Sequence, residues 1–157
     1  MTDYVDSCVF LAAVLGEHEE EVCHSYLTTL GYKHHAAGVV SHLVVSEVHV
    51  ALLRKTRDPR ARSEETLLRL TASVTKIFSR LLEDERLQIA KPSIPDEEFC
   101  REVQTREFRV TTDDALHLAA AVATGCARFV TLDKTLLTAE QLKGWLRREY
   151  GLKITNP

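Results

Sequence analysis

A chain of 157 residues, 45% hydrophobic and 27% charged, has the length of one ordinary domain and enough apolar residues for a real core, which excludes a disordered or fibrous protein. No apolar run approaches the roughly 18 residues of a membrane span, and the opening Met1-Thr2-Asp3-Tyr4 lacks the basic start of a secretory signal. The sequence therefore predicts a single cytosolic domain over residues 1–157, and its net charge of −3 gives no direct sign of a polyanionic partner.

Alternating strands and helices run from end to end, with no linker, repeat or low-complexity tract. Thr2 to Val5 reads as a first strand, entering a short helix at Ser7 that ends near Gly16. Glu17 to Leu30 is an amphipathic helix with Val22, Tyr26 and Leu30 on one side, stopped by Gly31. Ala36 to Val40 is a second strand. His42 to Arg57 is helical and is ended by Asp58-Pro59; a longer helix spans about Ser63 to Asp84, with Leu67, Leu70, Val74, Ile77 and Leu81 at spacings of three or four. Leu87 to Ala90 is a third strand closed by Pro92, and Pro95 starts a helix to about Phe108. Asp114 to Thr124 is an Ala-rich helix stopped by Gly125. A strand from Arg128 ends at Asp133, Thr138 and Gln141 have the spacing of a capping box for a last helix to Tyr150, and Leu152 to Thr155 is a final edge strand. Strands separated by helices of this length predict an α/β domain with a mainly parallel sheet covered on both faces.

In such sheets the active crevice lies beyond the carboxyl ends of the strands. Asp6 and Asp133 stand at two of those ends, Asp114 opens a helix on the same edge, and Glu47 interrupts the stripe of Leu43, Val44 and Ala51. Carboxylates gathered that way bind hard divalent cations, and oxygen-only ligand sets suit Mg²⁺ or Mn²⁺ rather than zinc. A pair of such ions can clamp the attacking and leaving oxygens of a phosphodiester, which points to metal-dependent nucleic-acid hydrolysis. Setting these acids aside removes the chain's negative excess, so the −3 charge does not oppose a phosphate substrate. Acids this close are expected to titrate as a coupled group with raised affinity for protons until metal binds.

Each acid also has a plainer explanation. Asp6 and Asp133 can cap the helices that follow them, and Asp114 lies three residues after Thr111, the spacing of a capping box. Glu47 is harder to explain that way, because an unpaired carboxylate on a buried face costs several kcal/mol. Asp113 is the alternative to Asp114 but is better suited to exposed capping. His117, one turn after Asp114, is left out of the core site because helix histidines are more often simply packed or solvated. The basic run Arg54, Lys55, Arg57, Arg60 and Arg62 reads first as a solvated loop, and 6% aromatics leave no obvious base-stacking platform. The cysteines (Cys8, Cys23, Cys100, Cys126) contain no C-x-x-C pair and read as reduced, mostly buried thiols.

Three stretches carry a specific resemblance: Tyr4-Val-Asp6-Ser7-Cys-Val-Phe-Leu-Ala12, Val44-Val-Ser-Glu47-Val-His-Val-Ala-Leu52, and Asp114-Ala-Leu-His-Leu-Ala119 followed by Phe129-Val-Thr131-Leu-Asp133-Lys134. In order and spacing they resemble a PIN domain over essentially the whole chain. The resemblance implies a three-layer α/β/α domain with a central parallel sheet of about five strands. It implies that Asp6, Glu47, Asp114 and Asp133 hold one or two Mg²⁺ or Mn²⁺ ions, and that a water activated there attacks phosphorus in line, leaving a 5′-phosphate and a 3′-hydroxyl. Thr131 and Ser7 match small hydroxyl positions that support these acids. Single domains of this size are similar to VapC-type toxins, ribonucleases that a partner antitoxin silences and that are usually homodimers. The helices from His42 to Asp84 correspond to the part such partners often grip. The competing expectations are an RNA-processing nuclease without an antitoxin, and a PIN-like binding module without activity. A haloacid-dehalogenase-type phosphatase is excluded, because Cys8 stands where that chemistry needs a second Asp two residues after the first.

Overall fold

The computed structural model describes residues 2–15, 18–56, 64–91 and 97–157, without the side chains of Lys55, Thr56, Glu64 and Leu67. Strand β1 (Thr2–Val5) is followed by helices α1 (Ser7–Leu15) and α2 (Glu20–Thr29), then by β2 (Ala37–Val40). Helices α3 (His42–Thr56) and α4 (Glu64–Glu83) lead to β3 (Leu87–Ile89), and α5 (Glu97–Arg106) and α6 (Thr112–Ala123) lead to β4 (Arg128–Val130). Helices α7 (Lys134–Thr138) and α8 (Glu140–Tyr150) precede β5 (Lys153–Thr155). The five strands form one sheet in the order β3-β2-β1-β4-β5, every pair parallel.

That order places β1 in the middle and reverses direction beside it. The chain runs outward through β2 and β3, then returns to the other flank of β1 for β4 and β5. The gap beyond the carboxyl ends of β1 and β4 is thus the switch point where α/β sheets open a crevice. Tyr4 faces Phe129 across the two strands, their rings stacked with centroids 5.3 Å apart, and both are fully buried. Apolar rings in that geometry stiffen the sheet next to its open end.

Local signals explain most element ends. Thr111 caps α6 by accepting the Asp114 N–H, and the Asp114 carboxylate accepts the Thr111 N–H in return, the reciprocal box expected from their spacing. Gly151 ends α8 in the left-handed conformation, at φ 69°. Gly31 stops the turn after α2 at φ 70°, where an added Cβ would stand 2.9 Å from the Arg86 Cβ, so a side chain is excluded there on two counts.

Two expectations fail locally. Thr138 does not cap α8: its hydroxyl donates to the Lys134 carbonyl at 2.7 Å and so closes the last turn of α7, a short helix absent from the periodicity. Ala139 takes the cap position without any side-chain bond, and α8 begins on packing of Leu142, Trp145 and Leu146. Strand β4 also stops at Val130, short of the predicted end at Asp133, because Leu132 turns its N–H toward the Cys8 sulfur at 3.1 Å. Pro92, Pro95, Arg57, Arg60 and Arg62 lie outside the described residues. Among the described residues no helix is long and apolar enough to cross a membrane.

Candidate metal centre

Asp6 follows the last residue of β1, its N–H still held by the Val130 carbonyl of β4 at 3.0 Å. Its side chain is only 7% exposed. Oδ1 accepts the Ser7 N–H at 2.7 Å and the Ser7 hydroxyl at 3.4 Å; Oδ2 accepts the Thr131 hydroxyl at 2.6 Å and the Cys8 thiol at 3.1 Å. Every one of these donors is neutral. The carboxylate is therefore oriented without having its charge cancelled, the condition that favours a cation arriving from outside. Burial, and then the Asp6 charge, push the Cys8 thiol up, so it stays a protonated donor. Thr131 is fully buried and works in both directions, donating to Asp6 while accepting the Asp133 N–H at 2.9 Å.

Glu47 comes from α3 and His117 from α6. Their side chains meet with His117 Nε2 2.9 Å from Glu47 Oε2, while Nδ1 lies 2.9 Å from the Tyr4 hydroxyl. Tyr4 donates to Ser41 Oγ at 2.8 Å. Burial alone would favour the neutral carboxyl of Glu47, but the hydrogen bond and charge of His117, with help from the Ser7 hydroxyl, outweigh it and hold Glu47 below its ordinary range. Burial likewise opposes the charged form of His117, yet Glu47 first, then Asp6 and Asp114, raise the imidazole above its ordinary value. The expectation of raised proton affinity across the acids is thus corrected for Glu47. Its close neighbour is a histidine rather than a second carboxylate, and that reverses the sign.

Asp6, Glu47 and His117 each offer one ligand atom, and those atoms lie within 4.8 Å of one another. The three could hold one divalent ion, whose ligand bonds of about 2.0–2.2 Å would draw them slightly closer, and carboxylate oxygens with one imidazole nitrogen are compatible with Mn²⁺. Asp114 and Asp133 stand outside that trio. Asp114 Oδ2 accepts the Thr111 N–H at 3.0 Å and the Thr111 hydroxyl at 2.7 Å, although its charge is close enough to act on His117. Asp133 Oδ1 caps α7, accepting the N–H groups of Thr135 at 2.6 Å and Leu136 at 3.1 Å. Asp113 is exposed, and the capping carboxylate is that of Asp114 rather than Asp113. His117 is the member that sequence reasoning set aside. Its signal was present: it shares the face of Ala115, Leu118 and Ala121, all buried, where an imidazole needs partners for both nitrogens.

The sequence pattern of the PIN domain matches residues 4–141, a span that contains every residue of this cluster. The chain belongs to the PIN domain family. Solved structures repeat the fold over nearly the full length at low identity. VapBC2 from Rickettsia felis, bound to a DNA fragment from their promoter, is 17% identical with a TM-score of 0.60, covering 99% of this chain and 98% of that one. PAE2754 from Pyrobaculum aerophilum is 18% identical with a TM-score of 0.61, covering 94% of each chain. FitAcB from Neisseria gonorrhoeae is 13% identical with a TM-score of 0.59, covering 99% and 97%. No curated protein matches the chain. Within this PIN domain the α/β architecture and five-stranded parallel sheet agree with the reading of the sequence, and Asp6 and Glu47 stand together at the sheet's open edge.

Proposed function

We propose that this PIN domain is a divalent-metal-dependent endoribonuclease and the toxin of a type II toxin-antitoxin pair. The observation that carries the reading is the convergence of Asp6, Glu47 and His117 ligand atoms within 4.8 Å at the switch point of the sheet. One or two Mg²⁺ or Mn²⁺ ions held there would polarise a phosphodiester and lower the pKa of water beside it.

The chain's own residues have separable tasks. Asp6, fixed by the neutral donors of Ser7, Cys8 and Thr131, presents its negative charge at the base of the crevice. Glu47 and His117 close the opposite wall. Asp114 and Asp133 each spend one oxygen on backbone capping, and in this proposal the other oxygen of each completes the ligand set. Both carboxylates are held by the ends of rigid helices, a geometry suited to ligands that must not drift. The antitoxin part of the reading draws on the neighbours: VapBC2 is bound to promoter DNA, and FitAB to an IR36 DNA fragment. By analogy the partner would be an antitoxin protein, the substrate RNA, the active form a homodimer and the compartment the cytoplasm.

The test is cleavage of a mixed cellular RNA pool by purified, partner-free protein with Mg²⁺, Mn²⁺ or chelator, beside Asp6→Asn and Asp114→Asn. Discrete products that need metal and vanish in both variants support the ribonuclease and its ligand set. Cleavage that survives chelation sinks the metal mechanism, and no cleavage by folded protein turns the reading toward a binding module.

A further inference from the structure

Tyr4 lies on the central strand, fully buried, with its ring stacked on Phe129. A hydroxyl on such a ring has no freedom to leave, yet it sits between Ser41 at 2.8 Å and His117 Nδ1 at 2.9 Å. Ser41 precedes α3, and its Oγ also receives the Val44 N–H at 3.4 Å, so this one side chain touches both the tyrosine and the first turn of the helix that bears Glu47. The contacts close on themselves: Ser41 to α3, Glu47 to His117, His117 to Tyr4, Tyr4 to Ser41. Asp6 is two residues beyond Tyr4 on the same strand end.

From this geometry we infer that Tyr4 and Ser41 are positioning residues for the ion, holding the His117 ring so that Nε2 faces Glu47 and the space beside Asp6. With the tyrosine proton directed to Ser41, the phenol oxygen accepts from Nδ1–H, and Nε2, which donates its proton to Glu47 in the metal-free protein, is the nitrogen an ion would take. Turning the ring over would present carbon atoms to both Tyr4 and Glu47 and break two buried hydrogen bonds. The same hydroxyl pair ties β1, α3 and α6 together, so the spacing between Asp6, Glu47 and His117 depends on residues that offer no ligand atom themselves. Outer partners of this kind typically govern metal affinity by 10- to 100-fold.

The inference rests on the proposed metal site, and its test is independent of cleavage. Mn²⁺ affinity of the full chain is measured by electron paramagnetic resonance of the free ion for wild type, Tyr4→Phe, Ser41→Ala and Ser41→Thr. Tyr4→Phe keeps the ring and its stacking on Phe129. It is expected to weaken Mn²⁺ binding about 10- to 100-fold, and in metal-free protein to change the Nδ1 signal of His117 in ring-labelled histidine NMR spectra while the Nε2–H bond to Glu47 persists. Ser41→Ala should lose less, and Ser41→Thr should restore wild-type affinity. Wild-type Mn²⁺ affinity in Tyr4→Phe overturns the inference. So does a loss that merely follows a fall in metal-free melting temperature with an unchanged ring spectrum, and so does an absence of Mn²⁺ binding by wild type. If the variants lose Mn²⁺ as expected but no protein cleaves RNA, the positioning role stands and the ribonuclease reading falls.

Discussion

Two buried aspartates three residues apart on and after the same strand have opposite surroundings. Asp3 is fully buried and answered from within: the Arg128 guanidinium donates Nε to Oδ1 at 2.8 Å and Nη2 to Oδ2, and the Tyr26 hydroxyl adds a bond at 3.0 Å. Asp6 is nearly as buried, but its partners Ser7, Cys8 and Thr131 bring no positive charge. The first carboxylate belongs to the fold's own electrostatics. The second is held by neutral donors, with the His117 imidazole nearby as its cationic neighbour, the arrangement on which the proposed cation site rests.

The sharpest way to break that comparison is to make Asp3 resemble Asp6. Arg128→Ala removes the cation and leaves a buried carboxylate with only Tyr26, which should cost on the order of 3 kcal/mol, the lower part of the usual range for a broken buried pair because Arg128 keeps part of its side chain in water. Chemical denaturation of metal-free protein measures the loss, and Mn²⁺ affinity should hold because the pair lies on the other side of the sheet's centre from Glu47 and His117. A loss under about 1 kcal/mol would mean that the Asp3 pairing contributes no more than a surface ion pair.

A somewhat smaller effect is expected at Asp6. Mn²⁺ should raise the stability of wild type by about 2.7 kcal/mol at a hundredfold excess over its Kd, with no rise for Asp6→Asn. Without metal, Asp6→Asn should cost less than Arg128→Ala, since the groups bonded to Asp6 are neutral and its cationic neighbour His117 is not hydrogen-bonded to it. Thermal unfolding with and without Mn²⁺ reads both halves, and a variant destabilised in chelator as much as Arg128→Ala would place Asp6 in the same structural class as Asp3.

The smallest effect is one of pH. In chelator, the raised His117 contributes stability that is fully present below its unfolded value near 6.5 and is lost as pH rises through the higher folded value. The lowered Glu47 contributes stability present above its unfolded value near 4.5 and lost as pH falls through the folded one. The stability difference between wild type and His117→Gln should therefore be greatest around pH 5–6.5 and shrink toward pH 9. A flat difference over that interval would show that the Glu47–His117 contact is held by packing alone.

Much of this molecule is legible residue by residue. Glycine at positions 31 and 151 ends helical turns because a left-handed residue is needed there, and Thr111 and Asp114 announce the start of α6 through spacing alone. The same logic misjudged Thr138, whose hydroxyl had a nearer acceptor in the Lys134 carbonyl, so a matching cap spacing was no guide to which helix it served. It also singled out Asp6 and Glu47, because a carboxylate at a strand end and one on an apolar stripe are each conspicuous without a partner in view, and the fold brings their ligand atoms within 4.8 Å.

His117 was seen by that logic and set aside, for a physical reason. Its side-chain partners are Tyr4, 113 positions away, and Glu47, 70 positions away, and no local period encodes a contact of that separation. The sequence by itself determined the alternation of strands and helices, the chain's place among PIN-like patterns and most helix ends, since these follow from local sterics and hydrogen bonding. Only the packing of β1 between α3 and α6 decided that Glu47 meets a histidine instead of another acid, that Asp114 and Asp133 turn an oxygen to backbone caps, and that Asp3 and Asp6, alike in sequence, carry opposite electrostatic fates.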